Sequence, residues 1–123
     1  MISLVEILAI HDRVVERTGG KLGLRDEDGL LSAIGRPFQT FDGKDLYPTP
    51  LLKAGALLES LCNNHPFVDG NKRTALVVAA LLLHREGIEL DIPLDEGEAF
   101  MLRVAQGAHD AGSVAKQLER WRT

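Results

Sequence analysis

His65-Pro66-Phe67-Val68-Asp69-Gly70-Asn71-Lys72-Arg73-Thr74 runs straight into an unbroken apolar segment, residues 75–83. Asp69-Gly70-Asn71 is a turn signal in its own right. Beyond it, Leu76, Val77, Val78, Ala79, Ala80, Leu81, Leu82 and Leu83 make a helix over about 71–85 that is apolar on nearly every side. In a soluble protein such a helix is surrounded by others. The stretch therefore predicts an all-α fold of about six helices around a central buried helix, residues 71–85. A polar turn feeding a buried helix also aims backbone N–H groups and the helix dipole at an anion. The expected site is one that handles phosphate.

On the N-terminal side, Ser3 and Glu6 have capping-box spacing, so a first helix starts at Leu4. Leu4, Leu8, His11 and Val15 share its apolar face, and Gly19-Gly20 stops it. His11 reads as a packing histidine. Asp26-Glu27-Asp28 opens a short second helix, with Leu30, Leu31 and Ile34 as its apolar face, and Arg36-Pro37 ends it. Residues 37–48 then change character. Asp42-Gly43 is a hairpin turn flanked by Phe41 and Lys44, predicting a short, exposed β-hairpin flap. Thr49-Pro50 caps a third helix that reaches Asn63-Asn64.

On the C-terminal side, Gly87 stops the apolar helix and residues 88–93 read as an extended connector. Asp95 and Glu98 mark a fifth helix, and Ser113 is the expected cap of a sixth. No repeat or linker divides the chain, so residues 1–123 read as one domain.

Composition narrows the function classes. A net charge of −4 argues against a nucleic-acid binder that relies on overall basicity. A single cysteine, Cys62, excludes an internal disulfide framework and a multi-cysteine metal site. Burial on the third helix is its expected state. The apolar run is too short to span a bilayer, and no signal peptide opens the chain. The expected location is the cytoplasm, with no membrane and no direct nucleic-acid partner.

The central stretch suits phosphate chemistry better than the alternatives. His65 is a candidate general base or a simple helix end. Asp69 is a turn former or a Mg²⁺ ligand, since one carboxylate plus phosphate oxygens is a common way to hold Mg²⁺. Lys72 and Arg73 oppose the macrodipole at a helix N-terminus, a cost that makes sense if an anion binds there. Phe67 anchors the loop in the core, and Asn71 is the expected helix cap. The P-loop spacing is absent, and the four histidines show no paired zinc spacing.

Residues 65–73 resemble the signature of the Fic/Doc family, H-x-F-x-[D/E]-[G/A]-N-[G/K]-R, and most of all its Doc toxin branch. The likeness extends to size, helix order, Gly19-Gly20 and the final helix with Ser113-Val114-Ala115. The resemblance implies that His65 takes the proton from a target hydroxyl and that Asp69 holds Mg²⁺ on the phosphates of ATP. It implies a nucleotide cradle of Gly70, Asn71, Lys72 and Arg73, with Phe67 as the buried anchor. Phe41, Asp42, Gly43 and Lys44 would be the flap that docks the target's backbone as an added strand.

Two departures separate this chain from adenylylating Fic enzymes. Those enzymes have glycine where Lys72 stands, and a second arginine where Leu76 stands. In Doc-like members this goes with a reversed nucleotide, so the implied reaction is phosphorylation of a Ser or Thr hydroxyl. The implied target is elongation factor Tu, and the outcome arrested translation. AMP transfer and a non-catalytic nucleotide- or partner-binding module are the alternatives. The inhibitory [S/T]-x-x-x-E-[G/N] motif of many Fic proteins is missing; Gln117 stands where its glutamate would follow Ser113. The resemblance implies restraint by a Phd-type antitoxin instead. The expected docking surface is the first helix, the last helix and the cleft between them.

Overall fold

The computed structural model describes residues 2–123. Six helices form: α1 (Leu4–Thr18), α2 (Glu27–Gly35), α3 (Pro50–Asn64), α4 (Asn71–Arg85), α5 (Leu94–Ala105) and α6 (Ala111–Arg120). A 3₁₀ turn, Arg36–Phe38, leads from α2 into a hairpin of β1 (Thr40–Phe41) and β2 (Lys44–Asp45). The all-α architecture with one short hairpin is the one the sequence implied.

Local signals set most boundaries. The Ser3–Glu6 capping box is complete, and Gly19 ends α1. The Asp26 side chain caps α2 by accepting from Gly29 N–H. Thr49 caps α3, with Pro50 at its first position. In the hairpin, Thr40 faces Asp45 and Phe41 faces Lys44. Asp42 and Gly43 have φ of 56° and 77°, both left-handed as the tightest hairpin turns require.

The centre of the fold differs from the expectation. Helix α3 is the hub: it packs against α2, the 3₁₀ turn, α4, α5 and α6. Helix α4 packs on α1, α3 and α5 and leaves a flank open, with Val77 46% exposed. A run of small residues explains the exchange. Ala54, Gly55 and Ala56 are buried and let neighbouring backbones come close to α3. At Gly55 the approach is extreme, because a Cβ there would sit 2.4 Å from the Ala111 carbonyl oxygen of α6. Alanine is the better helix former by roughly 1 kcal/mol. Gly55→Ala is nonetheless expected to lower unfolding free energy by about 1–3 kcal/mol, the usual cost of overpacking. An unchanged urea midpoint would show that α6 can step back freely.

Smaller corrections concern α2 and α6. Leu31 is exposed, so Leu30 and Ala33 carry the buried face of α2. Asp110, not Ser113, is the cap of α6. Ser113 is the third helical residue and returns a hydrogen bond to the Asp110 backbone. The connector after α4 is tied to the C-terminus, with Asp91 N–H donating to Trp121 O at 2.7 Å and Thr123 N–H to Glu89 O at 3.1 Å. Trp121 is itself buried, edge-on to Phe100, and donates to Glu96 Oε2 at 3.0 Å. No helix among the described residues is long and apolar enough to cross a membrane.

Candidate active site

His65 follows the last turn of α3 in a left-handed conformation, φ 53° and ψ 51°. Such backbone is uncommon for a residue with a side chain and persists where neighbours over-determine it. Those neighbours come from residues 19–26, which lie along the motif like a splint. The Arg25 guanidinium donates to the His65 carbonyl from Nε at 2.9 Å and Nη2 at 2.7 Å. Pro66 O accepts from Arg25 N–H at 2.7 Å and Asp26 N–H at 3.0 Å. Val68 N–H donates to Gly23 O at 3.0 Å, and Leu24 bridges Phe67 as an antiparallel partner.

Asn71 staples the turn rather than capping the helix. Its Oδ1 accepts from Phe67 N–H and its Nδ2 donates to Phe67 O, both at 2.9 Å. Gly70 occupies the cap position instead, with φ 82°. Glycine is needed there twice over: the conformation is left-handed, and a Cβ would lie 3.2 Å from Val15 Cγ2. Having no side chain, Gly70 offers α4 no cap. The N–H groups of Gly70, Asn71, Lys72 and Arg73 consequently have no protein acceptor among the described residues. Unpaired N–H groups at a helix start are the donors an anion can use.

The Asn71 amide also faces His65 Nδ1 at 3.2 Å. Its orientation is set by Phe67, so its NH₂ group points at the ring. That contact favours the neutral tautomer with hydrogen on Nε2. Accepting a proton at Nε2 requires the other tautomer, which gives up one long hydrogen bond, a cost of about 1 kcal/mol. The imidazole is exposed, and its Nε2 has no hydrogen-bond partner among the described residues.

Asp69 is exposed and held at two points. Its carbonyl accepts from His11 Nε2 at 2.7 Å, and its Oδ2 accepts from Lys21 N–H at 2.8 Å. Gly20 lets that loop come near, since a Cβ there would be 3.1 Å from Asp69 Cβ. Oδ1 has no hydrogen-bond partner among the described residues. No cluster of three or more metal-ligating side chains exists among them either. A single carboxylate with one open oxygen suits Mg²⁺ carried on phosphate oxygens and does not suit an all-protein metal cage.

Lys72 and Arg73 are exposed and line a groove of about 990 Å³ between α1, α4 and α5, together with Arg13 and Arg17. Arg73 Nη2 lies 3.8 Å from Glu98 Oε1. Cys62 is buried beneath this region, and burial pushes its thiol up to about 11, so it stays a packed thiol. The flap carries Phe41 at its tip, 74% exposed. Its base is fixed. Arg36 bonds Tyr47 Oη, Ser60 Oγ and Glu59, and Lys53 Nζ donates to Tyr47 O at 2.6 Å.

The structure thus gathers His65, Asp69, Gly70, Asn71, Lys72 and Arg73 around the start of α4, and sets the Phe41–Lys44 tip apart on the hairpin. Arg25, Lys21, Arg36 and Lys53 were missed as positioning groups. His11, read only as packing, also bonds the motif. None of these has a local signal, because each acts on partners brought near by folding.

A profile of the Fic/DOC family matches residues 1–83. The chain belongs to the Fic/DOC family. Its relatives place it in the Doc branch. Toxin Doc of Mycolicibacterium smegmatis is 45% identical over 102 residues, covering 81% of this chain and 78% of that protein. Protein kinase doc of Escherichia phage P1 is 35% identical over 122 residues, covering 97% of this chain and 93% of that protein. The Fic/DOC profile ends inside α4, so α5 and α6 rest on the match to the Doc relatives.

Proposed function

We propose that this Doc-branch chain is the toxin of a type II toxin–antitoxin pair and acts as an ATP-dependent protein kinase. It transfers the γ-phosphate to a Ser or Thr hydroxyl of a translation factor in the cytoplasm, with elongation factor Tu as the target. The observation that carries this reading is the uncapped start of α4, set beside an exposed imidazole and two cations. The similarity to a relative named as a protein kinase favours phosphoryl over AMP transfer.

In this reading the target backbone pairs with the flap, whose base Arg36 and Lys53 hold rigid. The polyphosphate lies on the first-turn N–H groups of α4, with Lys72 and Arg73 supplying positive charge. Asp69 Oδ1 would hold Mg²⁺, which neutralises charge on the phosphates. His65 accepts the hydroxyl proton as the oxygen bonds to Pγ and the bond from Pγ to the ADP oxygen breaks. Phosphoryl transfer depends mainly on positioning and charge neutralisation, and these are what the site offers.

For a Phd-type antitoxin we propose the open groove as the seat, which shares α1 with the expected surface but not α6. Helix α1 lies on α4 and α6 on α3, and the open groove runs between α1, α4 and α5. Ile10, Val14, Leu76, Val77 and Leu102 supply apolar walls, while Arg13, Arg17, Lys72 and Arg73 add positive charge. An acidic amphipathic helix fits that chemistry. Seated there, it would cover Lys72 and Arg73 and so block nucleotide.

The test uses ATP labelled at the γ or the α position, with elongation factor Tu and Mg²⁺ present. Label is expected on the target only from the γ position. Label arriving only from the α position would replace this reading with adenylylation.

A further inference from the structure

We propose that His11 is a positioning residue for the phosphate site: its hydrogen bond to the Asp69 carbonyl aims the Gly70 N–H at the polyphosphate. The proposal deepens the reading above and rests on it.

His11 sits on α1, 58 residues before Asp69, and is 2% exposed. Its ring stacks on Phe67 with centroids 3.7 Å apart and planes 7° apart. Packing alone would need only a flat ring of this size. The Nε2 contact adds something a phenyl ring lacks. The acceptor is a carbonyl oxygen 2.7 Å away, so Nε2 carries the hydrogen. Nδ1 stands 3.8 Å from Asp12 Oδ1, beyond hydrogen-bond range, and leaves that assignment unopposed.

The bond matters because of the residue that follows. The peptide joining Asp69 to Gly70 is planar and trans, so its C=O and N–H point in opposite directions. Drawing the carbonyl inward to the buried His11 turns the N–H away from α1. Glycine accepts either sign of φ, so this peptide plane has little intrinsic preference. Nothing local holds it, because Gly70 has no side chain and Asn71 is occupied with Phe67 and His65. His11 supplies the missing constraint. The Gly70 N–H then joins those of Asn71, Lys72 and Arg73, all without protein acceptors among the described residues. His11 also packs directly on this peptide: a Cβ on Gly70 would lie 3.6 Å from its Cδ2 and Nε2.

The test compares wild type, His11→Phe and His11→Gln by amide NMR and calorimetry, using inorganic tripolyphosphate with Mg²⁺ as the probe. Phenylalanine keeps the stack and loses the donor; glutamine restores a donor of similar reach. Wild type is expected to bind with a shift of the Gly70 amide resonance. His11→Phe should bind about tenfold more weakly, as expected for a lost bond at an anion site, with the Gly70 shift gone. His11→Gln should recover both, a rescue that loss of stability alone would not produce. His11→Phe that binds as tightly as wild type with the same Gly70 shift overturns the proposal. So does wild-type binding that leaves the Gly70 amide unmoved, a result that needs no variant to fold. Wild type that binds no tripolyphosphate at all overturns the phosphate site itself, and the proposal with it.

Discussion

His65→Ala is expected to lose about 100- to 10,000-fold in the rate of γ-phosphoryl transfer, the usual contribution of a general base. Growth arrest on expression should disappear with it. The ring is exposed, so its removal leaves no cavity. The backbone at this position is left-handed, however, and alanine tolerates that region poorly. His65→Asn is therefore the better companion, because asparagine enters the left-handed region readily. Both variants should be inactive, with His65→Asn unfolding near the wild-type temperature. A His65→Asn protein that still phosphorylates its target at the wild-type rate would remove His65 from the chemistry. The remaining candidates would then be groups that only bind, and the site would work by positioning alone.

Phe67→Ala is expected to have the largest effect on stability, about 3–5 kcal/mol, typical of a buried aromatic cut to alanine. Phe67 is 1% exposed, stacks on His11, and exchanges two backbone hydrogen bonds with the Asn71 side chain. The damage should therefore reach the site as well as the core. With the ring gone, His11 loses its stacking partner and the turn from His65 to Gly70 loses its anchor. In urea the unfolding midpoint should fall, and residual activity should be low even where the protein remains folded. An unfolding free energy within about 0.5 kcal/mol of wild type, the scale of ordinary surface substitutions, would mean that the loop closes over the space without help from this ring.

The two substitutions also separate what was legible in the chain from what was not. Residues 65–73 were readable because their chemistry is local. A turn, a helix start and the charges around it lie within ten residues of one another, and spacing alone brings them together. The caps at Ser3 and Thr49 and the acidic helix start at Asp26 were readable for the same reason. The hairpin was readable because Asp42-Gly43 suits the left-handed turn it adopts.

The hub helix was misread for a related reason. Hydropathy marks residues 75–83 as the most apolar run, and an apolar run reads as a centre. Centrality is decided by how closely neighbours can approach, however, and Ala54-Gly55-Ala56 admits them better than a row of leucines and valines. The apolar surplus on α4 and its neighbours instead leaves an open groove, where Val77 is 46% exposed and Leu102 52%. The missing Asn71 cap has a similar origin. Asparagine is a good helix cap in general, but here its amide is needed four residues back by Phe67.

By itself, the sequence determined the helical class, the caps of α1 and α3, the flap and the set of groups at the start of α4, because each depends on neighbours close along the chain. Tertiary structure alone decided which helix is central, where the groove opens, and how the motif is held. His11 reaches Asp69 across 58 residues, Arg25 reaches His65 across 40 and Lys21 reaches Asp69 across 48. No local preference encodes such pairs. They exist because α1 packs on α4 and lays the glycine loop after it along His65–Asp69, where a carbonyl and a carboxylate each find a donor.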